Sequence, residues 1–309
     1  MNKKQIVEEA LNEILKQKFD AELKATQNYN FAREESKEFK KIDLLFRQKT
    51  FETGKNYTKE SQKELNEVKQ KWLVELKKLN LTESSLKPNY VCKICNDTGY
   101  INGTKCVCLK KKLQKYLIKN SGLNSAIVHN FSQSSEEILK ENLTLQKAHT
   151  LGKAYAEKFP NIKTKNLVFM GEVGTGKTFL LECIANELLK KEFYVVYVTA
   201  FNLSNTMLKA LTVSPFESET ILSPLLECDL LIVDDLGTEP MMRNVSVSNL
   251  FTILNEREIN NKPTLISTNL SFDAIEDRYG NRLFSRIFNK RTTKVIQFVG
   301  SDLRIKTGR

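Results

Sequence analysis

Gly171-Glu172-Val173-Gly174-Thr175-Gly176-Lys177-Thr178 has the residue types and spacing of a phosphate-binding loop. The glycines let successive backbone N–H groups converge on phosphate oxygens without Cβ clashes. Lys177 would reach the β- and γ-phosphates, and the Thr178 hydroxyl would ligate Mg²⁺. The context fits the pattern. Asn166 to Met170 reads as a short buried strand, and Phe179 to Lys190 is apolar at helical spacing. The helix would add its N-terminal donors and dipole to the anion site.

A second constellation ends another apolar run. Leu230-Leu231-Ile232-Val233 delivers Asp234-Asp235 to the carboxyl end of a strand, the edge where open parallel sheets bind ligands. Asp234 would hold Mg²⁺, directly or through water, and Asp235 is placed to polarise an attacking water. Ser267-Thr268-Asn269 ends a further strand and puts the Asn269 amide near the γ-phosphate.

The third constellation is Cys92, Cys95, Cys106 and Cys108, four of the chain's six cysteines. Two close pairs bridged by a glycine-containing hairpin can close a tetrahedral thiolate site around zinc. A disulfide framework is the rival reading, and a cytoplasmic chain disfavours it. Four thiolates leave no open coordination position, so the zinc would be structural. Cys183 and Cys228 fall in apolar patterns and read as small buried hydrophobes. His129 and His149 are isolated and receive no role.

These residues must be positioned by two kinds of structure. Residues 1 to about 85 read as amphipathic helices, with Ile6, Ala10, Leu11, Ile14 and Leu15 on one face and Phe19 and Leu23 continuing it. A second stripe runs Leu65, Val68, Trp72, Leu73, Leu76, Leu79. The stripes are either the module's own core or a face for a partner. Lys110 opens a basic helix that ends near Asn120. Beyond Leu143 strands alternate with helices: strands at 193–198, 229–233, 263–267 and 294–299, helices at 201–211 and 245–260, and short helices either side of Gly280. Such alternation implies right-handed crossovers and a parallel sheet. The expected organisation is a helical N-terminal domain over 1–112 with its zinc module at about 88–112, a linker over 113–143, and a nucleotide-binding domain over 144–309.

The combination of Gly171 to Thr178, Asp234-Asp235, Ser267-Thr268-Asn269 and Gly280-Asn281-Arg282-Leu283-Phe284-Ser285-Arg286 resembles the bacterial replicative-helicase loaders, the DnaC/DnaI-like AAA+ ATPases. The resemblance covers about residues 86 to 309, cysteine cluster included. It implies an α/β fold: an AAA+ P-loop NTPase domain with a five-stranded parallel sheet and no C-terminal lid, preceded by the helical, zinc-binding domain. It implies ATP with Mg²⁺, a nucleotide-binding set running from Gly171 through Phe179, and Arg304 as a sensor. It makes Arg286 the arginine finger acting on a neighbouring subunit's nucleotide, with Arg282 as the less favoured choice or an assistant. On spacing alone, Arg282 and Arg286 are equally a solvated helix face.

The implied function is ATP-dependent loading of a hexameric DnaB-type helicase onto single-stranded DNA, with self-association through the ATPase domain. An IstB-like ATPase assisting a DNA transposase shares these motifs, and an ATP-binding DNA adaptor that barely hydrolyses is a third reading. The net charge of +11 and pI near 9.2 suit a polyanionic partner, or follow from a lysine-rich composition. Tyr197, Phe201, Lys209 and Arg243 could face DNA, and Tyr197 and Phe201 could equally be core. No apolar run approaches a membrane span and no signal-peptide core forms, so the expected location is cytoplasmic.

Overall fold

The computed structural model describes residues 1–123, 129–134, 139, 142–240 and 246–303. The chain separates into two compact units, one of Glu9–Lys110 and one of Met1–Glu8 with Lys111–Arg309. Most of the expected linker past Leu123 lies outside the described residues.

Helix α1 runs Lys3–Glu35, α2 Lys37–Lys55 and α3 Lys59–Lys78. The interruptions are set by capping. Ser36 accepts from the Phe39 N–H at 3.0 Å, and Thr58 and Ser61 form a reciprocal capping box. Phe39, Trp72 and Leu76 pack with Ala32, and Phe46 stacks on Trp72 at 5.2 Å. Asp43 lies inside this cluster. Its carboxylate accepts from Trp72 Nε1 at 3.1 Å and from the Tyr29 hydroxyl at 2.6 Å, and pairs with Arg47 at 3.2 Å. The stripe on α1 is only partly core. Ala10 and Ile14 are buried, whereas Leu15, Phe19 and Leu23 are exposed, Phe19 at 61%.

Next comes a short hairpin, β1 (Tyr100–Ile101) against β2 (Thr104–Lys105). Its turn is Asn102-Gly103, both with positive φ (48° and 76°), the backbone a two-residue antiparallel turn requires. Helix α4, Val107–Asn120, follows directly.

In the second unit, β3 (Asn166–Gly171), β4 (Val195–Thr199), β5 (Leu230–Leu236), β6 (Thr264–Thr268) and β7 (Thr293–Phe298) form one parallel sheet in the order β4-β5-β6-β3-β7. The three central strands are almost wholly buried and read as continuous apolar runs, as both faces are covered. Helices α5 (Leu143–Lys158) and α6 (Lys177–Lys190) pack together. Gly152 permits the approach, since a Cβ there would lie 2.8 Å from Leu180. Leu180, Leu181, Ile184, Leu188 and Leu189 are all buried on α6, each contributing about 1.5–3 kcal/mol.

Helices α7 (Ala200–Leu211), α8 (Pro215–Glu227) and α9 (Ser246–Ile259) complete the crossovers. In sequence Ser214-Pro215 reads as a break. It is the start of α8: Ser214 and Glu217 form a capping box and Pro215 takes the first helical position. Helix α10, Phe272–Ile287, is two helical pieces joined at Gly280, which has φ 77° and ψ 161°. No helix among the described residues is long and apolar enough to cross a membrane.

Candidate nucleotide and thiolate sites

The glycine loop joins β3 to α6. Gly174 and Gly176 hold φ of 77° and 98°, and Gly176 caps α6 in the left-handed region. A Cβ on Gly174 would meet the Asp302 carboxylate at 2.0 Å, and the Leu303 N–H donates to the Gly174 carbonyl at 3.0 Å. The segment after β7 therefore lies on the loop. Arg304 itself lies outside the described residues.

Lys177 is buried, and its Nζ donates to the carbonyls of Gly171 and Glu172, each at 2.7 Å. Thr175 braces the loop, its hydroxyl donating to Glu172 O at 2.8 Å. Val173 is exposed at the loop tip. Phe179, one residue into α6 after Thr178, stacks against His129 at 4.8 Å. His129 in turn pairs with Glu182, and Asn186 holds the carbonyl of His129 and the side chain of Asn130. His129 shows no partner in sequence because these contacts lie 50 or more residues away.

Strand order puts the carboxylates beside this loop. Thr199 pairs with Asp234, and β5 is joined to β3 through β6. Asp234 is buried with three hydroxyl oxygens around it. Thr178 Oγ1 lies 3.4 Å from Asp234 Oδ1, the Tyr197 hydroxyl donates to Oδ2 at 2.6 Å, and Ser267 donates to Oδ1. The converging oxygens of Thr178 and Asp234 are hard donors that fit Mg²⁺. Burial beside Asp234 pushes the Tyr197 phenol far above its usual range, so it stays a donor. Of the two readings of Tyr197, the inward one holds, while Phe201 and Lys209 are exposed and Arg243 lies outside the described residues.

Asp235 sits at an irregularity in the β5–β6 register, with φ 56° and its N–H donated to Ser267 Oγ at 2.8 Å. A non-glycine residue held at positive φ is a type of strain that clusters at working sites. Ser267 thus ties both carboxylate residues to β6. Asn269 follows β6 and is exposed. Past Asp235, the Gly237 N–H donates to Glu239 Oε2 at 2.9 Å, and buried Glu239 accepts from Arg278 and Tyr279 of α10.

Arg286 does not join this set. It lines a cavity with Asn166 and Thr264, the first residues of β3 and β6, whereas the glycine loop follows their far ends. At about 3.3 Å per residue, β3 separates the two by roughly 15–20 Å. Its Nη1 donates to Glu258 Oε2 at 2.8 Å. Arg282 lies over the Phe251 ring at 4.9 Å and Arg286 over the same ring at 5.8 Å.

In the other unit, Cys92, Cys95, Cys106 and Cys108 place their Sγ atoms within 4.8 Å of one another. Cys92–Cys106 is 3.8 Å and Cys95–Cys108 3.4 Å, and all four are free thiols. Tetrahedral Zn–S bonds of about 2.3 Å put sulfurs about 3.8 Å apart, so the cluster is compatible with zinc and too open for disulfides. Burial opposes ionisation of Cys95, but the hydrogen bond with the Gly99 backbone and those with the neighbouring thiols bring it down to about 6. By contrast, burial pushes Cys183 up to about 12. Asp97, fully buried, accepts from the N–H groups of Val91 and Cys92 at 2.7 Å each. The Cys106 N–H donates to Gly99 O at 2.8 Å, fixing the second cysteine pair to the first.

A parallel sheet in this order, a glycine loop with its buried lysine, and a carboxylate strand beside it define an AAA+ P-loop nucleotide-binding protein. The chain belongs to the IstB-like ATP binding protein family, which matches residues 153–308. It is 28% identical to the phage-like element PBSX protein XkdC of Bacillus subtilis over 217 residues, 63% of this chain and 79% of XkdC. It is 29% identical to the replicative helicase loader DnaC of Escherichia coli over 43% of this chain and 54% of DnaC. It is 36% identical to the replicative helicase loader DnaI of Bacillus subtilis over 38% of this chain and 37% of DnaI. The match thus spans about half of DnaC and just over a third of DnaI.

Proposed function

We propose that this chain is an ATP-hydrolysing helicase loader that binds a hexameric DnaB-type replicative helicase and helps place it on single-stranded DNA. The observation that carries the reading is a glycine loop, buried lysine and carboxylate strand in one unit, together with a helical unit that bears a four-thiol cluster outside the family match. Relatives named as helicase loaders are 29% and 36% identical over about two fifths of the chain.

In this reading Gly171 to Phe179 cradle the nucleotide, Lys177 neutralises its phosphates, and Thr178 and Asp234 hold Mg²⁺. Magnesium supplies charge neutralisation at the β- and γ-phosphates. Asp235 accepts a proton from the attacking water, and Asn269 orients the γ-phosphate. Arg286, too far from its own subunit's loop, acts on a neighbour's nucleotide, which makes turnover depend on self-association. Cys92, Cys95, Cys106 and Cys108 hold a structural zinc in the unit that grips the helicase. The ATP-bound and ADP-bound states of the chain bind its partners with different affinities, and that difference drives the cycle.

The second reading is an IstB-like ATPase that assists a DNA transposase, since the family description names IstB. One experiment separates them. The full-length protein is mixed with the host's DnaB-type helicase hexamer, with and without ATP, and run on a sizing column. Co-elution at micromolar concentration supports the loader. Turnover stimulated by DNA, with no helicase bound under any nucleotide condition, would leave the transposase reading in place.

A further inference from the structure

We infer that Glu258 is a positioning residue for Arg286, holding the guanidinium in the orientation from which it engages a neighbouring subunit. The inference rests on the trans role of Arg286 proposed above and names the group that prepares it.

The two oxygens of Glu258 are divided between two donors of the α10 end. Oε2 takes Arg286 Nη1 at 2.8 Å and Oε1 takes Asn289 Nδ2 at 2.7 Å. The Asn289 amide is itself oriented, because its oxygen accepts from the Arg291 N–H at 3.1 Å. The carboxylate is thus pinned from one side and aims the arginine from the other. Glu258 is the less exposed partner, with its side chain at 20% against 40% for Arg286. Phe251, about two helical turns earlier on α9, lies under both Arg286 and Arg282.

Arginine carries five donors in a rigid planar fork. Glu258 engages one nitrogen, and that bond together with the Phe251 ring restrains the plane in which the others lie. A long side chain otherwise samples many rotamers, and ordering it at the moment of reaction raises the barrier. Arg282, two residues past Gly280 on the same helix, has the ring contact without a carboxylate among the described interactions. The contrast gives Arg286 a fixed geometry that Arg282 lacks.

The test uses mixed assemblies of full-length chains, so that Glu258 is changed only in the subunit donating the arginine. The acceptor is Arg286→Ala, which keeps an intact site and lacks the finger. The donor is Asp235→Asn, which binds nucleotide, cannot turn it over, and keeps its finger. Mixing the two should restore ATP turnover at the acceptor site. Adding Glu258→Ala to the donor should cut that restored turnover roughly tenfold or more. Glu258→Gln, which keeps an acceptor for Nη1, should recover part of it. Equal rescue by all three donors would overturn the inference while leaving the finger assignment standing. Failure of the simple Asp235→Asn donor would overturn the finger assignment itself. If the alanine donor does not assemble, the glutamine donor decides alone: reduced rescue with normal assembly supports the role, and undiminished rescue rejects it.

Discussion

The Tyr197 hydroxyl donates to Asp234 at 2.6 Å, while the backbone N–H of the same tyrosine donates to Ser121 O at 2.6 Å. Gly122 makes room for this join, since a Cβ there would strike the Tyr197 carbonyl at 2.2 Å. One residue on the edge strand therefore orients the Asp234 carboxylate and ties down the chain that leaves α4. Tyr197→Phe removes the first bond and keeps the second. A hydrogen bond to a charged group contributes about 1.5–3 kcal/mol. The variant should lose stability of that order in urea unfolding. It should also require several-fold more Mg²⁺ for half-maximal turnover, with nucleotide affinity little changed. An unaltered Mg²⁺ titration would reduce Tyr197 to packing.

Asp97 makes a prediction about the thiolate cluster that leaves the thiols intact. Its carboxylate holds the N–H of Cys92 from a left-handed backbone position, φ 53°. Groups that orient metal ligands typically govern metal affinity by 10–100-fold. Asp97→Asn retains one acceptor oxygen, so zinc should still bind but pass to a competing chelator at roughly tenfold lower chelator concentration. Cys92→Ser with Cys95→Ser should abolish the zinc found by elemental analysis. It should also unfold the hairpin region, whose folding the metal would support by about 10 kcal/mol or more.

The helical unit offers a stability test with its own reporter. Trp72 is the sole tryptophan, and its indole N–H is held by buried Asp43. Asp43→Ala leaves the Trp72 and Tyr29 donors without that acceptor, at about 1–3 kcal/mol for each unsatisfied group. Tryptophan fluorescence should show the unit unfolding at clearly lower urea. Nucleotide binding by the other unit should persist at urea concentrations where the helical signal has gone. Coincident loss of both signals would mean that the two units unfold as one.

Local patterns carried much of this structure into the sequence. The glycine loop, the strand ending in Asp234-Asp235 and the cysteine spacing are short, contiguous signals, and the residues around each adopt the expected elements. Strands were legible because central parallel strands are buried on both faces and so read as unbroken apolar runs. What escaped was side-chain pairing across long separations. Tyr197 with Asp234, Glu258 with Arg286, Glu239 with Tyr279, and His129 with Glu182 are joined only by the fold. Exposure along α1 escaped too, because a helical stripe shows which residues share a face without showing whether anything covers it. Helix α8 was missed because Ser214-Pro215 reads equally as a break and as a cap.

Gly280 divides α10 between the half that grips the carboxylate loop and the half that carries the arginines. Before it, Arg278 and Tyr279 bind Glu239, four residues past Asp235. After it come Arg282 and Arg286. Its φ of 77° and ψ of 161° fall in a region that is essentially closed to residues with a Cβ, yet a Cβ there would meet nothing within 4 Å. Substitution therefore tests backbone conformation with no steric clash added. Gly280→Ala either keeps the kink, at about 1–3 kcal/mol of strain, or straightens the helix and swings the second half. Both routes should spare nucleotide binding, since neither touches Gly171 to Thr178. Straightening should remove the Arg286–Glu258 pairing and cut turnover in the assembly towards the Arg286→Ala level. Measuring thermal stability alongside turnover separates the routes: a lowered melting temperature with normal turnover means the kink held, and lost turnover with little change in melting means the helix straightened. A variant normal in both would show that the kink neither stores strain nor sets the arginine's position.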